Sequence, residues 1–288
     1  DQADKLRGRF GLDKVVLVGD RGMITQVQVD HLKDYPGIGW ITAMGHQAIK
    51  KVAGEGSLQL SLFDKSNIAE ITSPAYPGER LIACYNPLVA EKRRKSRQAL
   101  LEATEQNLDK IAREAGRRTK KKLTGEEIGI KAGKVIGKHK MQIHIELTIE
   151  GGTLSYQRNQ ASIKAESEVD GIYIVRTSEP NQRLSPQQVV RSYKNLSHVE
   201  RLFRTLKGVE VFVRPIRHRL KDRVKAHIFI CMLAYYVQWH MRKALAPLLY
   251  DDEALEQARY ERDPVKPADP SEGAKKKKHT GKTDDGLV

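Results

Sequence analysis

The chain has 288 residues, 39% of them hydrophobic, and a formal net charge of +15. This length fits one large domain or a domain with a large insertion, and the charge predicts a polyanionic partner, with nucleic acid favoured over an anionic membrane. Apolar runs fall short of the roughly 18–20 residues of a membrane span. The two cysteines, Cys84 and Cys231, fit a reducing cytoplasm and no disulfide framework.

The first predicted elements are a helix over 2–10 and a strand over 14–19. The strand run KVVLVG is apolar and β-branched, which is typical of a strand buried on both faces. Asp20 follows it directly, and the chain then turns toward a helix. Active sites of open α/β sheets gather at this end of the strands, so Asp20 is a candidate site residue. A lone Asp in this place is also common as a turn former or helix N-cap.

The middle of the chain, 45–184, is predicted to be a strand-rich α+β insertion. A strand over 38–44 precedes it, and a hairpin is expected where KMQIHIELTIEGGTLSYQ alternates around Gly151-Gly152. The other elements predicted here are strands over 56–63, 81–86 and 170–177, a charged helix over 89–115 and a basic run over 117–122.

The C-terminal part is predicted to be helical. The spacing suits a helix start in which Ser185 is the N-cap and Pro186 the first helical residue. Gln188, three residues after the cap, would complete a capping box. The helix is expected to run to Lys207. The segments that follow are a strand or extended link over 209–216, a long helix over 217–245 and a disordered basic tail over 251–288.

Three residues of this helix are seven positions apart: Tyr193, Glu200 and Lys207. Seven residues are two helical turns, with only about 20° of drift, so the three side chains are expected on one face. An aromatic ring, a carboxylate and a cation on a polar face suit a metal-bound phosphate. An alternative stays open, because Ser197-x-x-Glu200 also spells a capping box in which Glu200 would only cap a helix.

Cations dominate the surroundings of Glu200. Between Arg191 and Lys225 the chain has eleven Lys and Arg against three acids, Glu200, Glu210 and Asp222. An acid in such a field can hold a divalent cation where phosphates arrive. A charge run is also usual for a solvated face, so the pattern alone leaves both interpretations open.

The pattern Tyr193-x2-Leu196-x3-Glu200-x6-Lys207 resembles the Tyr-Arg-Glu-Lys signature of bacterial insertion-sequence transposases with a DDE site. The stretch VVLVGDRGMIT over 15–25 is similar to the block around the second catalytic aspartate of that family, and 170–177 and 214–237 are similar to the same branch. The resemblance implies an α/β, RNase H-like catalytic core. Its pieces would be 1–44 and 185–250, interrupted by the insertion over 45–184.

The resemblance also implies the site. Asp20 and Glu200 would be catalytic metal ligands, and the intact enzyme would hold two Mg²⁺ (or Mn²⁺) ions that activate water and a DNA 3′-OH. The partners would be double-stranded DNA, as transposon ends and target, and a second copy in a homodimeric synaptic complex. The expected DNA contacts are Tyr193 and Lys207 from the signature, with Arg21, Arg201 and Arg204 as our additions.

Two departures from the family pattern carry expectations. Leu196 stands where the signature has Arg, and neighbouring Lys194 or Arg191 could supply that cation. No first catalytic Asp is found, which predicts an N-terminally truncated fragment with missing first strands, an unpaired sheet edge and no catalysis by itself. The rival interpretations are a non-catalytic DNA-binding remnant or inhibitor of transposition, and another RNase H-like nuclease without strand transfer.

Overall fold

The computed structural model describes residues 5, 8, 11–64, 66–117, 123–208, 211, 213–246, 248, 257–258, 261–265 and 269–276. The chain forms two compact units, one of Asp1–Ala43 with Val175–Val288 and one of Met44–Ile174. The predicted helix over 2–10, apart from residues 5 and 8, and the basic run beyond residue 117 lie outside the described residues. No helix in the described ranges is long and apolar enough to cross a membrane.

The first unit begins with β1 (Val15–Val18), α1 (Gln26–Lys33) and β2 (Ile38–Ala43), which confirms both predicted strands. β1 pairs in parallel with β2, with Val15 opposite Ile38. Every residue of β1 is only half-buried, so the prediction of a strand buried on both faces is wrong. β1 is the last strand of the described sheet and has a neighbouring strand, β2, on one side only. Its residues are therefore less enclosed than those of an inner strand.

The second unit mixes helices and strands. Its elements are α2 (His46–Gly54), a short 3₁₀ helix (Leu60–Phe63), β3 (Ile68–Ile71), β4 (Arg80–Tyr85), α3 (Pro87–Arg117), α4 (Gly125–His139), β5 (Ile145–Glu150), β6 (Thr153–Arg158), α5 (Gln160–Ser167) and the start of β7 (Ile172–Thr177). The helix α3 alone has 31 residues, so the described part of this unit contains long helix as well as strands.

Most predicted elements of this unit are confirmed. The hairpin of β5 and β6 turns at Gly151 and Gly152, whose φ angles of 57° and 80° require glycine-like freedom. The strand predicted over 56–63 is wrong. There Leu58 and Phe63 are buried while Leu62 is 42% exposed. In a strand, Leu58 and Leu62 would share one face and Phe63 would lie on the other, so this burial does not fit a strand. Residues 60–63 form a 3₁₀ helix instead.

Five strands form one mixed sheet in the order β1-β2-β7-β4-β3. β2 and β7 are antiparallel, with Ile41 opposite Thr177. β3 and β4 are also antiparallel, with Ile68 opposite Cys84. β1 is therefore an edge strand of the described sheet, and Asp20 follows its carboxyl end.

A buried ion pair joins α3 to the turn before β7. Arg97 Nη1 donates to Asp170 Oδ1 at 3.1 Å, and a second guanidinium nitrogen donates to Asp170 Oδ2. Both side chains are more than nine-tenths buried. A buried charge is tolerated when it is paired and hydrogen-bonded, so this pair fixes where β7 begins.

The first unit ends with three helices, α6 (Pro186–Lys194), α7 (Leu196–Lys207) and α8 (Lys221–Ala244). The capping box at Ser185 is confirmed, because Gln188 N donates to Ser185 Oγ at 3.3 Å and Ser185 N to Gln188 Oε1 at 2.8 Å. The prediction of one continuous helix to Lys207 is wrong. The helix breaks at Asn195, which is both the C-cap of α6 and the N-cap of α7.

Two further segments complete this unit. Residue 211 and residues 213–216 form no strand, so this stretch is a link. In the segment predicted to be a disordered tail, residues 261–265 are described, and Val265 is buried.

We expect Asp170→Ala to destabilise the chain by about 3–5 kcal/mol, because Arg97 would keep a buried charge without its partner. Urea unfolding followed by circular dichroism measures this change. Asp64→Ala, at an exposed acid of the same unit, is the control. A loss below about 1 kcal/mol for Asp170→Ala would contradict the assigned pair.

Two glycines are expected to respond in opposite directions to alanine. Gly133 lies inside α4 with nothing within 4 Å of an added Cβ, so Gly133→Ala should stabilise by about 1 kcal/mol. Gly171 has φ +76° and a Cβ there would lie 2.5 Å from Asn86 O, so Gly171→Ala should destabilise. The shift in the urea midpoint of each variant checks both signs.

Candidate functional site

Asp20 is held by the tight turn that follows β1. Its Oδ1 accepts the backbone N–H groups of Gly22 at 2.9 Å and Met23 at 2.8 Å, and its carbonyl oxygen accepts from Ile24 N at 2.9 Å. The turn-forming interpretation is therefore confirmed for one carboxylate oxygen. The side chain remains exposed, and Oδ2 has no hydrogen-bond partner among the described residues. The turn thus orients the carboxylate and leaves one oxygen for a ligand.

Glu200 lies in the second turn of α7 and is exposed. The alternative in which Glu200 caps a helix is wrong, because α7 begins one residue before Ser197. The Ser197 hydroxyl instead donates to Lys194 O at 2.9 Å. The Glu200 carboxylate accepts no hydrogen bond and forms no ion pair within the described ranges. It therefore has no structural duty in the helix and is available to bind.

Tyr193, in the last turn of α6, is half-buried between charges of both signs. Burial raises the pKa of its phenol above 10.0, the negative charge of Asp20 raises it further, Arg21 lowers it, and Glu200 raises it again. These causes place Asp20, Arg21, Tyr193 and Glu200 in one electrostatic neighbourhood. A phenol is protonated at neutral pH even at its ordinary pKa of about 10, and the raised pKa extends this range, so Tyr193 can donate a hydrogen bond.

These side chains line one pocket of about 410 Å³ within the first unit. Its walls include Asp20, Tyr193, Glu200 and Arg201, four of the residues predicted for the site from sequence. The sequence separation of Asp20 and Glu200 gives no hint of this meeting, which depends on the fold. The predicted proximity of the two acids is thus present in the structure, while their catalytic role stays a prediction.

Two cations lie on the pocket wall together with Leu196, which stands where the signature has arginine. Leu196 lines the pocket, and so do Arg191 and Lys194, the two cations suggested as substitutes. Arg191 Nη2 donates to Arg262 O at 3.1 Å, and Lys194 Nζ donates to Pro264 O. These bonds connect the walls to a C-terminal segment that sequence reasoning missed.

That segment, 261–265, supplies Arg262 and Pro264 to the pocket. Its Pro- and Lys-rich surroundings predicted disorder. The one sequence signal against disorder was the isolated apolar Val265, which is 2% exposed, and a single residue of this kind is too weak a pattern to predict a contact.

The remaining predicted DNA contacts are exposed and lie outside the pocket walls. Lys207 Nζ is 5.8 Å from the centre of the Phe203 ring, and Arg204 and Arg21 face solvent. Because the helix breaks at Asn195, Tyr193 lies on α6 while Glu200 and Lys207 lie on α7, so the prediction of one helical face carrying all three residues is wrong. Tyr193 and Glu200 line the same pocket, and Lys207 lies two turns, or about 10 Å, further along α7.

Two carboxylates are not a complete metal site by themselves. The described ranges contain no group of three or more His, Cys, Asp or Glu side chains that could hold a metal ion. Carboxylate oxygens are nevertheless the ligands that Mg²⁺ prefers. Within the described ranges, Asp20 has one carboxylate oxygen without a hydrogen-bond partner and Glu200 has no partner. Both line the same pocket, so they fit as two members of a larger ligand set.

Comparison with known proteins agrees with these features. A family model described as a transposase DDE domain matches residues 1–237, a range that contains Asp20 and both helices of the pocket. No curated protein and no solved structure matches the chain. The family implies an RNase H-like fold, DNA transposition and the use of divalent metal ions. Since the matched range covers most of its length, the chain belongs to the family of transposases with a DDE domain.

Proposed function

We propose that this chain carries the second and third carboxylates of an insertion-sequence transposase of the Tyr-Arg-Glu-Lys type, with Asp20 and Glu200 in these roles. The observation that carries the proposal is their meeting with Tyr193 in one pocket whose walls include Arg191, Lys194 and Arg201. A carboxylate pair among cations suits a phosphodiester, because the cations attract the backbone and the acids hold metal at the reacting phosphorus.

In this proposal Asp20 and Glu200 are two of the ligands of the catalytic metal. Bound Mg²⁺ or Mn²⁺ ions would supply activation of the attacking oxygen and neutralisation of charge at the phosphate. The turn at Asp20 fixes its carboxylate by two backbone hydrogen bonds, so it need not reorient to bind. A fixed ligand loses less conformational entropy on binding, which favours a preorganised site.

The other residues of the pocket are proposed to position DNA. Tyr193 is protonated at neutral pH, and its raised pKa extends this range, so its hydroxyl donates a hydrogen bond to a phosphate oxygen. Arg191, Lys194 and Arg201 supply positive charge on the same wall. Outside the pocket, Arg21, Arg204 and Lys207 extend the cationic surface along the backbone of the duplex.

At the level of the whole enzyme, the proposal assigns 1–44 and 185–250 to an RNase H-like core interrupted by the insertion over 45–184. Hydrolysis at the transposon end and strand transfer to target DNA would both use this site. A homodimer in the synaptic complex is the proposed assembly. A chain that binds DNA without catalysis is the alternative, and the metal experiment below separates the two.

We expect Fe²⁺, used in place of Mg²⁺ with ascorbate and peroxide, to cleave the polypeptide next to its ligands. Mass spectrometry of the fragments should locate cuts near Asp20 and Glu200, and both sets of cuts should fall together in Asp20→Asn and in Glu200→Gln, because each variant removes one ligand of the shared ion.

The control is Glu168→Gln, which removes an exposed acid of the second unit and should leave the cuts unchanged. Cleavage near Glu200 that persists at full strength in Asp20→Asn would mean that the two acids share no ion. Such a result would favour DNA binding without metal catalysis.

The phenol of Tyr193 provides a test at the same site. Because the folded chain binds this proton more tightly than the unfolded chain does, Tyr193 contributes stability below pH of about 10, and this is lost as pH rises through its folded pKa. Asp20→Asn removes one cause of the raised pKa, so the pKa should fall. Near-UV absorbance of tyrosinate, with Tyr193→Phe subtracted, measures it. The control is Asp34→Asn, which removes an exposed acid of the same unit and should leave the pKa of Tyr193 unchanged. An equally unchanged pKa in Asp20→Asn would mean that Asp20 does not act on Tyr193.

A further inference from the structure

We infer that the exposed face of the helical hairpin formed by α3 and α4 binds the phosphate backbone of duplex DNA. This second contact surface, here called the hairpin surface, consists of Lys110, Arg117, Lys134, Lys138 and Lys140. It lies in the second unit, whereas the pocket of Asp20 and Glu200 lies in the first. The inference rests on the proposed action on DNA.

The two helices are antiparallel neighbours. Lys131 Nζ is 2.7 Å from Glu114 Oε2, and Asn107 Nδ2 is 3.5 Å from His139 Nε2. Residue numbers thus rise along one helix while they fall along the other, and Lys110 lies on the stretch of α3 that faces the Lys134–Lys138 turn. The buried side of α4, with Ile128, Ala132 and Ile136, packs on the opposite side.

The lysines of α4 share one face because of their spacing. Lys131, Lys134 and Lys138 are three and four residues apart, which brings their side chains into neighbouring positions. Like charges at this spacing destabilise an isolated helix. Such a row is therefore a cost to the free chain that an anionic partner would offset.

Charge is strongly unbalanced along this part of the sequence. Between Lys110 and Lys140 there are eleven Lys and Arg against three acids, Glu114, Glu126 and Glu127. Glu114 is engaged by Lys131, and Glu127 accepts the backbone N–H of Thr124 at 3.0 Å in a capping box. Two of the three acids therefore have structural partners already.

Acids of α3 are turned to its other side. Glu105 accepts from Arg158 at 2.6 and 2.7 Å, and Asp109 accepts from the Tyr156 hydroxyl at 2.6 Å. Both partners lie on β6. Burial and then Asp109 raise the pKa of Tyr156 to about 12, so this hydroxyl keeps donating. Glu105 and Asp109 are thus engaged by β6, whereas Glu114 of the same helix pairs with Lys131 of α4.

The five cations of the hairpin surface are exposed and form no ion pair with an acid of the described ranges. Their full charge is therefore available to a partner. DNA carries one negative charge per about 1.7 Å of helix axis. The rise from Lys134 to Lys138 is about 6 Å, so these two lysines alone span about three phosphate charges.

Lys140 stands in a backbone conformation that suits glycine better. Lys140 is the C-cap of α4, with φ 56° and ψ 38°. This left-handed conformation costs an L-residue about 1–2 kcal/mol. Glycine is the usual residue at this kind of helix end. The sequence instead places an exposed cation directly after α4.

The chemistry favours duplex DNA over other polyanions. α4 contains no aromatic residue, whereas single-stranded nucleic acid is bound with stacked aromatic rings. It exposes one large apolar side chain, Ile130, whereas a helix that binds a lipid surface needs a broad apolar face. A row of cations without either feature fits a double-stranded phosphate backbone.

The test compares the whole chain with three variants of equal charge change, by fluorescence anisotropy of a labelled duplex of arbitrary sequence across KCl concentrations. Lys134→Gln/Lys138→Gln/Lys140→Gln should weaken binding about tenfold or more and reduce the log–log salt slope by about 2–3, since each phosphate contact contributes about 0.9. The matched control, Lys51→Gln/Lys92→Gln/Lys164→Gln, removes exposed lysines of the same unit and should change affinity less than about threefold.

A third variant, Arg201→Gln/Arg204→Gln/Lys207→Gln, separates this inference from the proposed function. Loss of affinity in this variant but not in the hairpin variant would overturn the inference and leave the pocket proposal standing. Loss in the hairpin variant alone would support the inference and count against the pocket as a DNA site. Equal losses in the hairpin and control variants would reduce the effect to net charge and overturn the inference.

Lys140→Gly keeps the test valid if the triple variant fails to fold. Glycine relieves the left-handed backbone, so circular dichroism should show an intact fold while DNA affinity falls about twofold. Unchanged affinity in folded Lys140→Gly would remove Lys140 from the surface and contradict the proposed row. Tighter hairpin-dependent binding to phosphatidylserine vesicles or single-stranded RNA than to the duplex would overturn the choice of partner.

Discussion

The antiparallel pairing of β2 with β7 is the constraint on which the first unit depends. It pairs Ile41 with Thr177, and it is reinforced where Thr177 Oγ1 donates to Trp40 O at 2.7 Å and Trp40 N donates to Ser178 Oγ at 3.0 Å. These contacts return the chain to β2 after residues 44–174, which form the second unit. Because the entropy of closing a loop grows only logarithmically with its length, a long excursion is compatible with such a pairing. Asp20, after a strand parallel to β2, and the helices after β7 can then share one pocket.

The two acids of the pocket reach it by different kinds of structure. Asp20 depends on local chemistry, since the Asp-Arg-Gly-Met turn lets one carboxylate oxygen accept two backbone N–H groups. Glu200 depends on the helix break at Asn195. The break starts α7 before Ser197, which removes the capping role that the sequence offered to Glu200. One acid is therefore fixed by its neighbours in the chain, and the other has no partner among the described residues.

Sequence reasoning succeeded where the determining interactions are local. The Gly151-Gly152 turn and the Ser185 capping box depend on residues within a few positions, and both were predicted. It failed where distant packing decides. The alternation of Leu58, Leu60 and Leu62 suits a strand, yet Leu58 and Phe63 both join one core cluster and residues 60–63 form a 3₁₀ helix. The partial exposure of β1 likewise follows from its place in the sheet order, which no property of its own residues encodes.

The departure at Leu196 acquires a physical meaning in the pocket. A carboxylate that positions an arginine or lysine also neutralises it, whereas a backbone carbonyl orients the cation and carries no net charge. Arg191 and Lys194 are each held by a carbonyl oxygen of the segment 261–265. These two bonds help to place both cations on the pocket wall beside Leu196. In the proposed function, this wall offers positive charge to a phosphate near position 196, where the signature has arginine.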